Sequence, residues 1–266
     1  MFADVTSANV VGYASNDQVN TVDQNSSLQA YTILGIPFRS IENGGNWSLQ
    51  DLTLSKMTAY GTSGKADQIW LWIADEKGDW DYEEYYYYKK SGQPNTWVLT
   101  DGSKTPFDEV HPEGLIPGSA FWYVAYNGDD ERSITNSGEV GNADRDIVIA
   151  RGEYQFVACP FPIQLKLNDD TQFDCSNCTA YGTSGKADMI WLWINTGDNK
   201  WDYEEYYLYK KSGQPNRWVL TDGSKTPFEE VHPNGVPVGS GFWFKSYAND
   251  GEDYTITFKT PIPVAK

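Results

Sequence analysis

The sequence predicts an all-β protein made of two tandem, internally duplicated β-sandwich-like or barrel-like domains. Three observations carry this expectation. Residues Thr58 to Trp122 recur at Thr179 to Trp243 with identity at about 50 of 65 aligned positions. Short runs rich in Trp, Tyr, Ile and Val alternate between two faces. No run longer than about ten residues combines a 3.6-residue period with helix caps.

An earlier match sets the domain bounds. Tyr31 to Phe38 (YTILGIPF) aligns with Tyr154 to Phe161 (YQFVACPF), at a spacing two residues longer than the main repeat, which implies a small indel between Phe38 and Thr58. Each unit is then roughly 125 to 130 residues, with the seam near Gly138 to Asn142. The expected units are 1–138 and 139–266, each long enough to bury a core of its own.

The elements follow in order. Asp4 to Val11 is extended and β-prone. GTSGKA at Gly61 to Ala66 resembles a phosphate loop only superficially: two residues separate its glycines where four are required, no Ser or Thr follows the Lys, and no helix is expected there. It reads as a turn between strands. In DQIWLWI (67–73), Ile69, Leu71 and Ile73 share one face and Trp70 and Trp72 the other, the pattern of a central strand covered on both sides. ADEKGD (74–79) is almost wholly rewritten as NTGDNK (195–200) while its flanks match, which marks an exposed hairpin loop. The next strand sets Trp80, Tyr82, Glu84, Tyr86 and Tyr88 against Asp81, Glu83, Tyr85 and Tyr87. Tyr87 is replaced by Leu208 in the second copy, so that face is expected to point inward. SGQPN is a turn, TWVLT a short strand, Asp101-Gly102 a turn, SKTPFDEVHPEG an irregular loop, and AFWYVAY a strand. The acidic tips NGDDE (127–131) and NDGED (249–253) lead to closing strands at Ser133 to Thr135 and Tyr254 to Phe258.

A net charge of −17 argues against nucleic acid and against an anionic membrane surface, since both require clustered Lys and Arg. No apolar run approaches a membrane span, so no membrane insertion is expected. Met1-Phe2-Ala3-Asp4 reads as the remnant of a small-residue cleavage site behind an initiator Met, and with the acidity it points to a secreted, extracellular or cell-surface protein.

Candidate chemistry is sparse. Cys159, Cys175 and Cys178 all lie in the second unit, where the first has Ile36, Leu54 and Met57, so no shared mechanism needs them. Cys175-Ser176-Asn177-Cys178 has redox or half-zinc spacing without a second CxxC; buried thiols or one local disulfide are expected. His111 and His232 sit in Glu-Val-His-Pro loops with no recognisable catalytic partner. Glu83-Glu84 and Glu204-Glu205 raise glycoside hydrolysis, but neighbours on a strand face opposite ways. GDWDYEE, NGDDE and NDGED offer oxygen ligands for Ca2+ without a readable calcium-loop ladder, so acidic hairpin tips and no cofactor are expected. No catalytic residue and no metal ligand is assigned.

The aromatic face remains. Trp80, Tyr82, Tyr86 and Tyr88, with counterparts Trp201, Tyr203, Tyr207 and Tyr209, would suit stacking on sugar rings or protein contacts, or would stabilise the sheet itself. DVTSANVVGY (4–13), QDLTL (50–54), DQIWLW with its Tyr-rich strand, PGSAFWY (117–123) and VGSGFWF (238–244) together resemble a group of secreted β-repeat proteins from Planctomycetes and Verrucomicrobia-type bacteria. The resemblance implies export and a β-rich fold, and it brings no activity or catalytic residues. The cysteines and the TAYGTSGKAD copies lie outside its pattern.

The expected function is a secreted, non-enzymatic structural or surface protein, self-associating head to tail by strand addition at the extended segments Asp4 to Val11 and Tyr254 to Val264. The alternative is a carbohydrate-binding module whose two copies add avidity on a surface polysaccharide. A glycoside hydrolase is the third.

Overall fold

The computed structural model describes residues 11–18, 30–41, 45–54, 56–126, 132–197, 200–247 and 251–262. Of the sequence expectations, the NGDDE tip and the stretch before Val11 lie outside those residues, as do residues 263–264 of Tyr254 to Val264 and parts of NTGDNK and NDGED. The fold is all-β. The first half holds strands β1 (Val11–Gln18), β2 (Ala30–Gly35), β3 (Thr53–Leu54), β4 (Gln68–Ala74), β5 (Trp80–Tyr88), β6 (Thr96–Leu99), β7 (Ala120–Ala125) and β8 (Arg132–Glu139). The second holds β9 (Arg145–Ile149), β10 (Tyr154–Ala158), β11 (Phe173–Asp174), β12 (Met189–Gly197), β13 (Lys200–Tyr209), β14 (Arg217–Leu220), β15 (Gly241–Lys245) and β16 (Tyr254–Phe258).

Each half pairs a five-stranded with a three-stranded sheet, all antiparallel. The five-stranded orders are β2-β7-β4-β5-β6 and β10-β15-β12-β13-β14, and the three-stranded orders are β1-β8-β3 and β11-β16-β9. In the second half Phe173 of β11 lies against Trp218 of β14, centroids 6.5 Å apart, so the small sheet covers the inner face of the large one in sandwich fashion.

The period-2 reading of β4 and β5 gives the layers. Ile69, Leu71 and Tyr85 are buried in the main core together with Trp97 and Phe107, and Tyr87 packs on it at 5.1 Å from Trp97. Leu208 lies in the same core, so the Tyr87/Leu208 exchange does mark an inward position.

Two buried aspartates tie this architecture together. Asp67 accepts from Thr58 N (2.9 Å), Tyr126 N (2.8 Å) and the Tyr123 hydroxyl (2.7 Å). Asp188 accepts from Thr179 N (2.8 Å) and Tyr247 N (2.7 Å), but Tyr123 is Phe244 in this copy and the hydroxyl comes from Tyr254 on β16 (2.5 Å). A buried carboxylate needs this satisfaction, and the second half supplies it from another strand.

The loop predicted as irregular contains a helical turn. Phe107–Val110 and Phe228–Val231 form α1 and α2, started by Pro106 and Pro227 at φ −63° and −61° and carrying acidic residues in the first turn. Among the described residues no helix is long and apolar enough to cross a membrane.

Candidate functional site

The structure distributes the eight predicted aromatic residues over three places. Tyr86 and Tyr207 are each only 4% exposed, sealed by Ala66 and Val98 or by Ala187 and Val219. They are therefore not an open platform. The alternation placed them on the outer face correctly, but the GTSGKA turn, a 3-10 turn at Ser63–Lys65 and again at Ser184–Lys186, brings Ala66 and Ala187 against them.

Tyr82 and Tyr203 belong to the joint between the halves. Tyr82 meets Trp72 at 4.8 Å and Trp70 at 5.8 Å; Tyr203 meets Trp193 at 4.9 Å and Trp191 at 5.7 Å. Trp243 Nε1 donates to the Tyr203 hydroxyl at 3.1 Å, and burial pushes that phenol up to about 12 against the effect of this bond. Trp201 is half-buried and lies nearly parallel to Trp193, at 6.4 Å and 19°. Trp80 is half-buried at the equivalent place in the first half.

The joint has a reciprocal geometry. Trp72 Nε1 donates to Tyr154 O at 2.8 Å, and its counterpart Trp193 Nε1 donates to Tyr31 O at 3.0 Å. Gly35 N donates to Gly239 O at 2.8 Å, and Ala158 N donates to Gly118 O at 2.9 Å. Trp72 crosses Trp243 at 5.6 Å and 81°, and Trp193 crosses Trp122 at 5.4 Å and 87°. Each contact occurs in both directions, which is the signature of an isologous interface about a pseudo-two-fold axis. Trp72, read as facing a cover, is covered by the other half of the chain, while Trp70 packs on Tyr31 and Tyr82 of its own half.

Tyr88 and Tyr209 form the third place. Tyr88 lies across a parallel bridge from Tyr60, and Tyr209 likewise from Tyr181. Tyr60 and Tyr181 are 45% and 46% exposed, among the most open large side chains described. Lys104 Nζ sits 4.7 Å above the Tyr88 ring and Lys65 Nζ 5.4 Å above Tyr60; Lys225 and Lys186 repeat this at 4.5 Å and 5.5 Å. Lys89 and Lys210 are exposed beside them. Sequence reasoning missed Tyr60 and Tyr181, because they lie in a turn and escape any strand periodicity.

The histidines do have partners, contrary to the sequence reading. His111 Nε2 lies 2.5 Å from Glu83 Oε1, and His232 Nε2 lies 2.5 Å from Glu204 Oε1. The hydroxyls of Tyr85 and Tyr206 donate to the same oxygens. The 28-residue separation between His and Glu hid the pairing. Burial works to raise the Glu83 carboxyl, but the hydrogen bonds from His111 and Tyr85 outweigh it and hold the group below its ordinary value. Burial first, then the adjacent carboxylate, push the Tyr85 and Tyr206 phenols far up, so both remain protonated donors. Each histidine also rests on Phe107 or Phe228 at 5.1 Å. The arrangement clasps the α1 and α2 turns to β5 and β13. Glu84 faces away, toward the Thr100 hydroxyl at 3.5 Å, so the paired acids indeed diverge.

The three cysteines are free thiols, so the local disulfide is not formed. Among the described residues no group of three or more His, Cys, Asp or Glu is placed to hold a metal ion. No protein-family model, no curated protein and no solved structure matches the chain.

Proposed function

We propose that the protein is a non-enzymatic extracellular or cell-surface protein that binds polysaccharide through two like platforms on one joined pair of units. The observation that carries this reading is the Tyr60/Tyr88 pair with its lysines, repeated at Tyr181/Tyr209 on the other half. The exposed phenols of Tyr60 and Tyr181 offer stacking surface to sugar rings, and the ammonium groups beside them donate to hydroxyls or attract acidic sugars. Two sites on one body raise apparent affinity by roughly 10²–10⁴ when both engage one polymer.

The acidity of the whole chain and the resemblance to secreted β-repeat proteins support export, and the same acidity speaks against nucleic acid and an anionic membrane surface. Each His–Glu pair is read as a structural clasp, because it holds the α1 or α2 turn on its strand and takes its second donor from a tyrosine of that strand. One observation favours strand-mediated self-association instead: among the described residues β1 and β9 are edge strands, each paired on one side; Tyr254–Phe258, expected to add a strand to a neighbour, is instead the centre strand of its sheet, paired with β11 and β9. The joint does not serve as a pattern for it, because a reciprocal contact closes on itself.

Electrophoresis through gels containing a panel of neutral and acidic polysaccharides tests the proposal. Tyr60→Ala or Tyr181→Ala should each weaken retention far more than two-fold, and the double variant should run unretarded with an unchanged melting temperature. Retention by no polysaccharide, or a double variant retarded like the parent, would overturn it.

A further inference from the structure

A cleft of about 230 Å³ lies where the two halves meet, away from both tyrosine platforms. Pro117, Pro160 and Phe161 line it together with Arg39, Arg145, Asn46 and Asn142. This chain has 20 Lys and Arg against 37 Asp and Glu, so two guanidinium groups on one small cleft run against the general charge.

Neither arginine is fully engaged by the acids nearby. Arg145 Nε is buried and has no hydrogen-bond partner among the described residues. A buried donor left in that state costs about 1–3 kcal/mol, more for a charged group; Nε itself is closed to solvent, so it is the rest of the guanidinium lining the cleft that a bound molecule would meet. Arg39 reaches Glu139 only at 3.9 Å, with its side chain 47% exposed. Asp144 also lines the cleft, but its charge is taken by Lys259 Nζ at 3.3 Å and the Thr260 amide at 2.9 Å. Asp146, next along β9, accepts from the Thr257 hydroxyl at 2.6 Å. Space for the Arg39 head is provided by Gly45, at φ +104°, where a Cβ would come within 3.0 Å of Arg39 Nε. Planar guanidinium groups with Pro117, Pro160 and Phe161 in the same lining match a carboxylate attached to a small ring or chain, and the volume is below that of a drug-sized ligand site.

We propose that this cleft binds the carboxylate of a small acidic ligand, with Arg145 and Arg39 as the recognising groups. The polysaccharide reading enters only in the source of the carboxylate, which would then be a uronic-acid residue.

The test follows the Arg145 Nε–Hε correlation by NMR during titration with sodium glucuronate, sodium acetate and glucose. Glucuronate should move it saturably and glucose should not, and Arg39→Gln should weaken the effect at least ten-fold. Arg145→Gln, followed through the Gly141 and Asn142 amides, should abolish it. Acetate acting as well as glucuronate upholds the carboxylate site while removing its sugar origin. No shift with either acid, an equal shift with glucose, or full binding by Arg145→Gln would overturn the proposal.

Discussion

Gly35→Ala probes the reciprocal joint at its tightest point. A Cβ built on Gly35 would lie 2.2 Å from the Ala158 Cβ, where carbon atoms in contact ordinarily stand about 3.5–4.0 Å apart. Both backbones are held in place. Gly35 N donates to Gly239 O at 2.8 Å, Ile36 N to Ser119 O at 3.0 Å, and Ala158 N to Gly118 O at 2.9 Å. Opening the gap by more than 1 Å therefore lengthens hydrogen bonds on both sides, and overpacking of this kind costs about 1–3 kcal/mol. Urea denaturation followed by tryptophan fluorescence should show a lower midpoint with an unchanged slope. The reciprocal exchange, Gly35→Ala with Ala158→Gly, moves the methyl group across the axis without adding one, so it should recover most of the loss. That recovery is a coupling between positions far apart in sequence. Parental stability in Gly35→Ala, or no recovery in the exchange, would refute the reciprocal-joint argument.

Further outcomes follow from other parts of the fold. Trp70 Nε1 donates to Gln68 Oε1 at 2.8 Å, whereas Trp191 Nε1 is buried without a partner among the described residues, the counterpart of Gln68 being Met189; Met189→Gln should stabilise the chain by about 0.5–1.5 kcal/mol in the same denaturation assay. Tyr123→Phe removes the hydroxyl that Asp67 accepts and should cost about 1.5–3 kcal/mol, as should Tyr254→Phe at Asp188. The Glu83 carboxyl is lowered from 4.5 on folding, so its stabilisation is present above that value and lost as pH falls through the folded one; the melting-temperature gap between parent and Glu83→Gln should close under acid. Under native conditions iodoacetamide should label Cys175 alone, since its thiol is lowered by the hydrogen bond from Cys178. Burial raises Cys178 well above the ordinary value and Cys159 to about 12. Mass spectrometry would read one adduct, rising to three in denaturant.

The strand alternation was legible because it depends on local spacing alone. It put Ile69 and Leu71 on one face, Trp70 and Trp72 on the other, and Tyr87 inward through its exchange with Leu208. What covers the outer face was not legible, because cover comes from distant chain: Ala66 over Tyr86, and the other half of the molecule over Trp72. The His111–Glu83 contact was hidden in the same way, since a loop and a strand meet only after the sheet forms. The α1 turn had a local signal in Pro106 followed by Phe-Asp-Glu, but at four residues it is too short for a 3.6-residue period to appear.

The differences between the two copies carry more meaning at the joint than anywhere else. On an exact two-fold axis, equivalent residues would meet themselves. Here the meeting pairs are unequal: Gly35 faces Ala158, and Gly241, the counterpart of Ala120, has that residue's Cβ 2.4 Å from where its own would be. First halves pairing with first halves would set Ala120 against Ala120, and second halves would set Ala158 against Ala158, each adding a methyl group where none fits. Only the pairing of a first half with a second half avoids both collisions. The halves are already linked in that combination, at an effective concentration no separate chain can match. Two Gly/Ala exchanges thus turn a sequence repeat into a joint that closes within one molecule, and they fix the spacing of the two tyrosine platforms that the proposed polysaccharide would bridge.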